Sequence, residues 1–171
     1  MDVGAGAFLV IVLFTVHEFE EIILVTPWIA RHADDPRFAR DTWISRRTAY
    51  PSTEAIAAVI AEEIILASFV LAIAVWTGAL AVVLAVATIN SVHLVGHLTL
   101  AARVRAWNPG SATAATTFPL NVTLVVWALV HGANWGWWLI ATVLLGVVFA
   151  ANLKALHGLT PMLQQRIGRA A

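Results

Sequence analysis

The sequence lacks cysteine entirely and has a single lysine and a single tyrosine among its 171 residues. Without cysteine, disulfides, thiolate zinc sites and iron–sulfur clusters are excluded, so any metal must be bound by nitrogen and oxygen ligands. Charged residues make up 12% of the chain, about half of the roughly 25% that is usual for soluble domains. Ten basic residues balance ten acidic ones, and no polybasic run indicates a nucleic-acid partner.

Hydrophobic residues take the place of the missing charge, at 60% of the chain with a mean hydropathy of +0.84. A membrane-spanning helix needs about 20 predominantly apolar residues. On that rule we predict an all-α integral membrane bundle of about five transmembrane helices that forms a single domain over 1–171. The predicted helices lie near 3–30, 53–76, 79–102, 114–132 and 135–157.

Basic residues between the apolar segments predict the orientation of the bundle. They follow the first and third segments and end the chain, whereas the connections around 76–78 and 132–134 carry no charge. By the positive-inside rule the basic side is cytoplasmic, which predicts N-out and C-in in the cell inner membrane. The stretch 34–47 mixes Arg and Asp with aromatic residues and is expected to lie on the cytoplasmic surface as an amphipathic segment.

The segment His17-Glu18-Phe19-Glu20-Glu21 interrupts the first apolar stretch with an imidazole and three carboxylates. An ionisable residue at the bilayer centre costs about 2.5–3.5 kcal/mol on insertion scales. Such a cluster therefore has to be neutralised, hydrated or bound to a ligand, and it predicts a functional site.

Polar residues of the second and third apolar segments lie at a membrane depth similar to that of the His17–Glu21 segment, given a rise of about 1.5 Å per residue. Residues spaced i, i+3 and i+4 share a helix face, and Gly96 is expected to let another helix approach closely. The neighbours Glu62 and Glu63 point about 100° apart, so only one of them is expected to be a direct ligand. The predicted metal ligands are His17, Glu20, Glu21, Glu62, Glu63, His93 and His97.

Four carboxylates at this depth, if charged and unpaired, would cost on the order of 10 kcal/mol. Protonation or a water-filled cavity would relieve that cost, but only a cation also explains why three histidines reach the same layer. Carboxylate with imidazole suits Fe, Mn or Zn, and helical bundles hold dinuclear sites of this composition. We predict a divalent metal, Fe or Zn, with one ion or two. Glu21 and Glu63 are the predicted catalytic residues, and the predicted outer residues supporting the ligands are Asn90, Glu18 and Asn121.

The motif from His17 to Glu21 at the end of a first apolar run resembles the signature of the HXXEE-domain family of bacterial multi-pass membrane proteins. The later pair Glu62-Glu63 and the stretch 90–97 fit that pattern. The resemblance implies a multi-pass membrane fold without an assigned reaction.

Three classes of function are consistent with these residues. The favoured class is a metalloenzyme, an oxidoreductase or a hydrolase, that acts on a lipid-like or membrane-soluble substrate. A cation or proton transporter is the first alternative, although the stretches 67–75 and 79–88 offer few polar groups to continue a path. A structural or regulatory membrane subunit stabilised by a metal is the second alternative.

Overall fold

The structure is a computed structural model that describes residues 2–32, 35–38 and 51–170. Over these residues it contains five long helices and no strand, which confirms the predicted all-α fold. The helices are α1 (Val3–His32), α2 (Thr53–Thr77), α3 (Leu80–Val104), α4 (Ser111–Val130) and α5 (Trp135–Ala170).

Two helix boundaries differ from the predicted ones. Helix α4 begins at Ser111, three residues before the predicted start, because Gly110 in the left-handed conformation turns the chain into the helix. Helix α5 continues to Ala170 instead of ending near 157. The extension is polar but rich in residues with good helix propensity, so the end of the apolar stretch is not the end of the helix.

Four of these helices, α2 to α5, are long and apolar enough to cross a membrane. Helix α1 has 30 residues and carries the three glutamates of the motif, and it is not among those four. The predicted N-out, C-in orientation, the inner-membrane location and the single domain stay predictions.

Helix α3 lies at the centre of the bundle and packs against all four other helices. The main apolar core joins the N-terminal halves of α1 and α3 to the C-terminal halves of α2 and α4, and it includes the fully buried Val10 and Leu84. A tight turn at Gly78, whose φ of 70° is easy only for glycine, reverses the chain between α2 and α3. Because the core fills one end of the bundle, the buried polar residues gather in the other half.

The predicted surface segment 34–47 lies largely outside the described residues. Its described part is a single 3₁₀ turn, Pro36–Phe38. Within that turn, the guanidinium of Arg37 donates hydrogen bonds to the carboxylate of Asp35. These bonds lower the pKa of the Asp35 carboxyl to about 2.

Helix α5 is joined to the rest of the bundle by two side-chain hydrogen bonds. Trp138 Nε1 donates to Thr88 Oγ1 of α3 at 3.0 Å, and Asn152 Nδ2 donates to Glu62 Oε2 of α2 at 2.9 Å.

Trp138→Phe is expected to lower the stability of the bundle by about 0.5–1.5 kcal/mol, because it removes one of these hydrogen bonds. Thermal unfolding of the purified protein measures the change. Trp137→Phe is the matched control, since Trp137 is 64% exposed. Equal unfolding temperatures for the two variants would contradict this role of Trp138.

Candidate metal centre

Three imidazoles and one carboxylate converge between α1 and α3. The group consists of His17, Glu21, His93 and His97, and one ligand atom from each lies within 4.8 Å of the others. His17 is fully buried, whereas the side chain of His93 is 41% exposed. The centre is therefore closed on the side of His17 and accessible on the side of His93.

The distances within the group are short. His93 Nε2 lies 3.1 Å from His17 Nε2 and 3.2 Å from His97 Nε2. Glu21 Oε1 lies 2.7 Å from His97 Nε2 and 3.8 Å from the Nε2 atoms of His17 and His93. All three imidazoles thus direct the same ring nitrogen towards one point beside a carboxylate oxygen.

The other ring nitrogen of His17 faces a hydroxyl on the first turn of α4. His17 Nδ1 lies 3.0 Å from Thr113 Oγ1, and that hydroxyl donates to Glu20 Oε2. Because a hydroxyl carries one proton, Thr113 accepts from His17 Nδ1–H. In the neutral imidazole, His17 Nε2 then has a free lone pair directed at the centre.

His97 has the same arrangement with a backbone partner. Its Nδ1 lies 2.9 Å from the carbonyl oxygen of Pro109, which can only accept, so Nδ1 carries the proton. In the neutral ring the Nε2 lone pair then faces Glu21 Oε1 at 2.7 Å. Two electron-rich atoms at that separation need a positive species between them, either a further proton or a cation.

Glu20, a predicted ligand, lies outside the four-residue group. Its carboxylate accepts from the backbone N–H groups of Ala112 at 3.4 Å and Thr113 at 2.7 Å, as well as from the Thr113 hydroxyl. A carboxylate is stabilised at a helix N-terminus by the free N–H groups and the helix dipole. The structure therefore places Glu20 as an anchor between α1 and α4.

The other predicted carboxylates are arranged around the group. Glu18 is 97% buried, since only 3% of it is exposed, and its Oε1 lies 4.0 Å from His93 Nε2. Glu63 interacts electrostatically with Glu18 and Glu21 without belonging to the group. Glu62 accepts a hydrogen bond from Asn152 on α5 and does not belong to the group.

The predicted outer residues Asn90 and Asn121 are buried, with exposures of 5% and 0%. Neither amide forms a hydrogen bond to the protein through its nitrogen or its oxygen. These amides therefore form no hydrogen bond to an imidazole of the group, and their role in supporting the ligands stays a prediction.

Sequence reasoning missed the turn that closes the centre, Asn108-Pro109-Gly110, and the adjoining Thr113. A Cβ added to Gly110 would lie 2.6 Å from His97 Nδ1 and 2.9 Å from His17 Cε1. Gly110 is therefore the residue at which a backbone approaches the centre closely. The prediction of a close approach at Gly96 is wrong, because a Cβ there would meet nothing within 4 Å.

Comparison with known proteins assigns the family. Residues 8–124 match the model of the family described as "Protein of unknown function with HXXEE motif". The match covers more than half of the chain and includes all four residues of the centre, so the chain belongs to the HXXEE family. No curated protein and no solved structure matches the chain significantly.

Gly110→Ala is expected to displace His97 and His17 and to destabilise the protein. The positive φ of 84° alone costs an alanine about 1–2 kcal/mol, and the clash with the imidazoles adds to it. Gly96→Ala is the matched control and is expected to be stabilising by about 0.5–1 kcal/mol, as alanine for glycine in a helix. Thermal unfolding of both variants measures the difference. A Gly110→Ala protein as stable as wild type would contradict the close approach.

Proposed function

We propose that this HXXEE-family protein is a membrane-embedded metalloprotein that binds one divalent transition-metal ion, Fe or Zn, through His17, Glu21, His93 and His97. The observation that carries the proposal is the convergence of three Nε2 atoms and one carboxylate oxygen on one point. The described residues contain one such group, so the proposal is for one ion.

The hydrogen bonds of the imidazoles support a cation at this point. The Nδ1 protons of His17 and His97 are directed outwards, to Thr113 and Pro109. Two imidazole lone pairs and a carboxylate oxygen then face one another, and a single N–H from His93 can satisfy only one of them. One cation at the common point satisfies all four atoms at once.

The size of the group also fits a metal ion. Ligands at about 2.0–2.1 Å from a tetrahedral ion lie roughly 3.3 Å from one another. The Nε2 to Nε2 distances of 3.1 and 3.2 Å are close to this value. Glu21 Oε1 lies 2.7–3.8 Å from the imidazoles, and the whole group lies within 4.8 Å, so binding an ion would draw the most distant ligands together.

We further propose that the ion serves a reaction on a lipid-like or membrane-soluble substrate. A bound ion polarises a carbonyl or activates water, and the exposed flank at His93 would admit a substrate from the side. Glu63, which interacts with Glu21 but is not a ligand, is the carboxylate available as a general base. In this proposal Glu21 binds the ion and Glu63 accepts the proton as a general base.

Transport of the ion is less well supported than catalysis. Beyond the polar half of the bundle, Val10, Leu84 and Leu124 belong to a densely buried apolar cluster that joins four helices. A cation or proton crossing that region would find no ligands among those side chains. The centre is therefore proposed to be reached from one side.

Metal analysis tests the proposal. Protein purified without chelator is expected to contain one equivalent of metal, and His93→Ala is expected to lose it because a ligand is removed. His131→Ala is the matched histidine control, since His131 ends α4 and bonds to Trp127 instead. Glu62→Gln, in which the pair with Asn152 is altered, is likewise expected to keep the metal.

Three results would contradict this proposal. Folded wild-type protein that takes up no Fe or Zn from a stoichiometric solution would refute metal binding. Loss of the metal in Glu62→Gln but not in His93→Ala would place the ligands elsewhere. Ion flux in liposomes without stoichiometric metal would favour transport.

Thr113→Val is expected to weaken metal binding by about 10–100-fold, the usual effect of removing a partner that orients a histidine ligand. Valine has nearly the shape of threonine but leaves His17 Nδ1–H without an acceptor. Thr113→Ser keeps the hydroxyl and is expected to restore affinity. Competition with a chromophoric chelator measures all three proteins. Equal affinity of the valine and serine variants would show that the hydroxyl does not orient His17.

A further inference from the structure

The two unpaired amides of Asn90 and Asn121 are not explained by the metal centre. Both residues are at least 95% buried, and none of their four polar side-chain atoms has a hydrogen-bond partner among the described residues. Buried polar groups are nearly always hydrogen-bonded, and an unmade bond is costly in an apolar interior. Two such side chains on neighbouring helices therefore indicate a ligand that the protein itself does not supply.

Helical spacing places both amides between the metal centre and the apolar core. Asn90 lies one turn before His93 on α3 and shares its face. Asn121 lies two turns after Thr113 on α4, with the buried Thr117 between them. Helices α3 and α4 pack against each other along their length, and beyond the two amides the apolar cluster begins at Ala87 and Leu124.

We propose that Asn90 and Asn121 form a binding site for the oxygen of a small uncharged ligand, located between the metal centre and the apolar core. This site is separate from the ion site, and its existence does not depend on whether a metal binds. The ligand is water or the hydroxyl group of a membrane-soluble alcohol.

The chemistry of the amide selects an uncharged ligand. Each side chain offers an N–H₂ donor and a carbonyl acceptor. A bare cation would use only the carbonyls and leave the donors unpaired, whereas an anion would use only the donors. A hydroxyl oxygen donates and accepts at once, so it can pair with both kinds of group.

The number of polar partners also suits a bound water. A buried water needs two to four polar partners, and the two amides provide four unpaired atoms. The hydroxyl of Thr117 donates to the carbonyl oxygen of Thr113, and it forms no hydrogen bond with either amide. None of the described residues therefore pairs with the amides, which leaves all four atoms available to a ligand.

Structures of the full chain in lipid nanodiscs, at a resolution that shows ordered water, test the inference. Wild type and Asn121→Leu are each compared without additive, with hexan-1-ol and with hexane. We expect an oxygen density within about 3.2 Å of amide atoms of both asparagines in wild type, and its loss in Asn121→Leu. Density without additive identifies water, and density that appears only with hexan-1-ol identifies a membrane alcohol.

A second variant and a control keep the test decisive. Asn90→Leu serves if Asn121→Leu does not fold, and Asn152→Leu is the matched control because Asn152 already has Glu62 as its partner. The density is expected to persist in Asn152→Leu. The inference is overturned if wild type shows no density in any condition, if the amides bond directly to each other or to the backbone, or if density is unchanged in Asn121→Leu.

Discussion

Two hydrogen bonds that point away from the centre determine which ring nitrogens the centre can offer as ligands. His17 Nδ1 is bonded to the Thr113 hydroxyl, and His97 Nδ1 to the Pro109 carbonyl. Each bond fixes one proton on the outer nitrogen of its ring and leaves the inner nitrogen available as a ligand. The convergence of lone pairs follows from these contacts, and with it the requirement for a positive charge between the rings.

The start of α4 supplies both of those partners. The turn ending at Gly110 brings the Pro109 carbonyl to His97, and the first helical turn brings Thr113 to His17. Glu20 secures this helix end by accepting hydrogen bonds from its free N–H groups. The family motif thus has two roles. His17 and Glu21 face the centre, while Glu20 binds the start of α4, which carries the hydroxyl that orients His17.

The sequence predicted well which segments are helical and which polar residues lie at a similar depth along them, because hydropathy and helical spacing are local properties. A constant rise per residue places Glu21 and His93 at a similar depth, with His17 and His97 about one turn to either side. What spacing cannot provide is the partner of each side chain. Glu20 and Glu21 are adjacent and equally acidic, yet Glu20 is bound to the start of α4 whereas Glu21 lies among the imidazoles.

The missed residues have the same physical origin. Thr113 lies in a polar turn just before the apolar stretch from which the fourth helix was predicted, so a hydropathy rule places it in a loop. Gly110 carries no side chain and becomes informative only when the imidazoles packed on it are known. Glu62 pairs with Asn152 across 90 residues of sequence, and no local pattern predicts such a contact.

X-ray absorption at the metal edge of the metal-loaded protein tests the central claim most directly. The account predicts a first shell of nitrogen and oxygen at about 2.0–2.1 Å for zinc, with the outer-shell scattering of three imidazole rings. The His93→Ala protein, reloaded with the same ion, should show at most two rings. A shell made only of oxygen, with no imidazole scattering in wild type, would contradict the proposed centre.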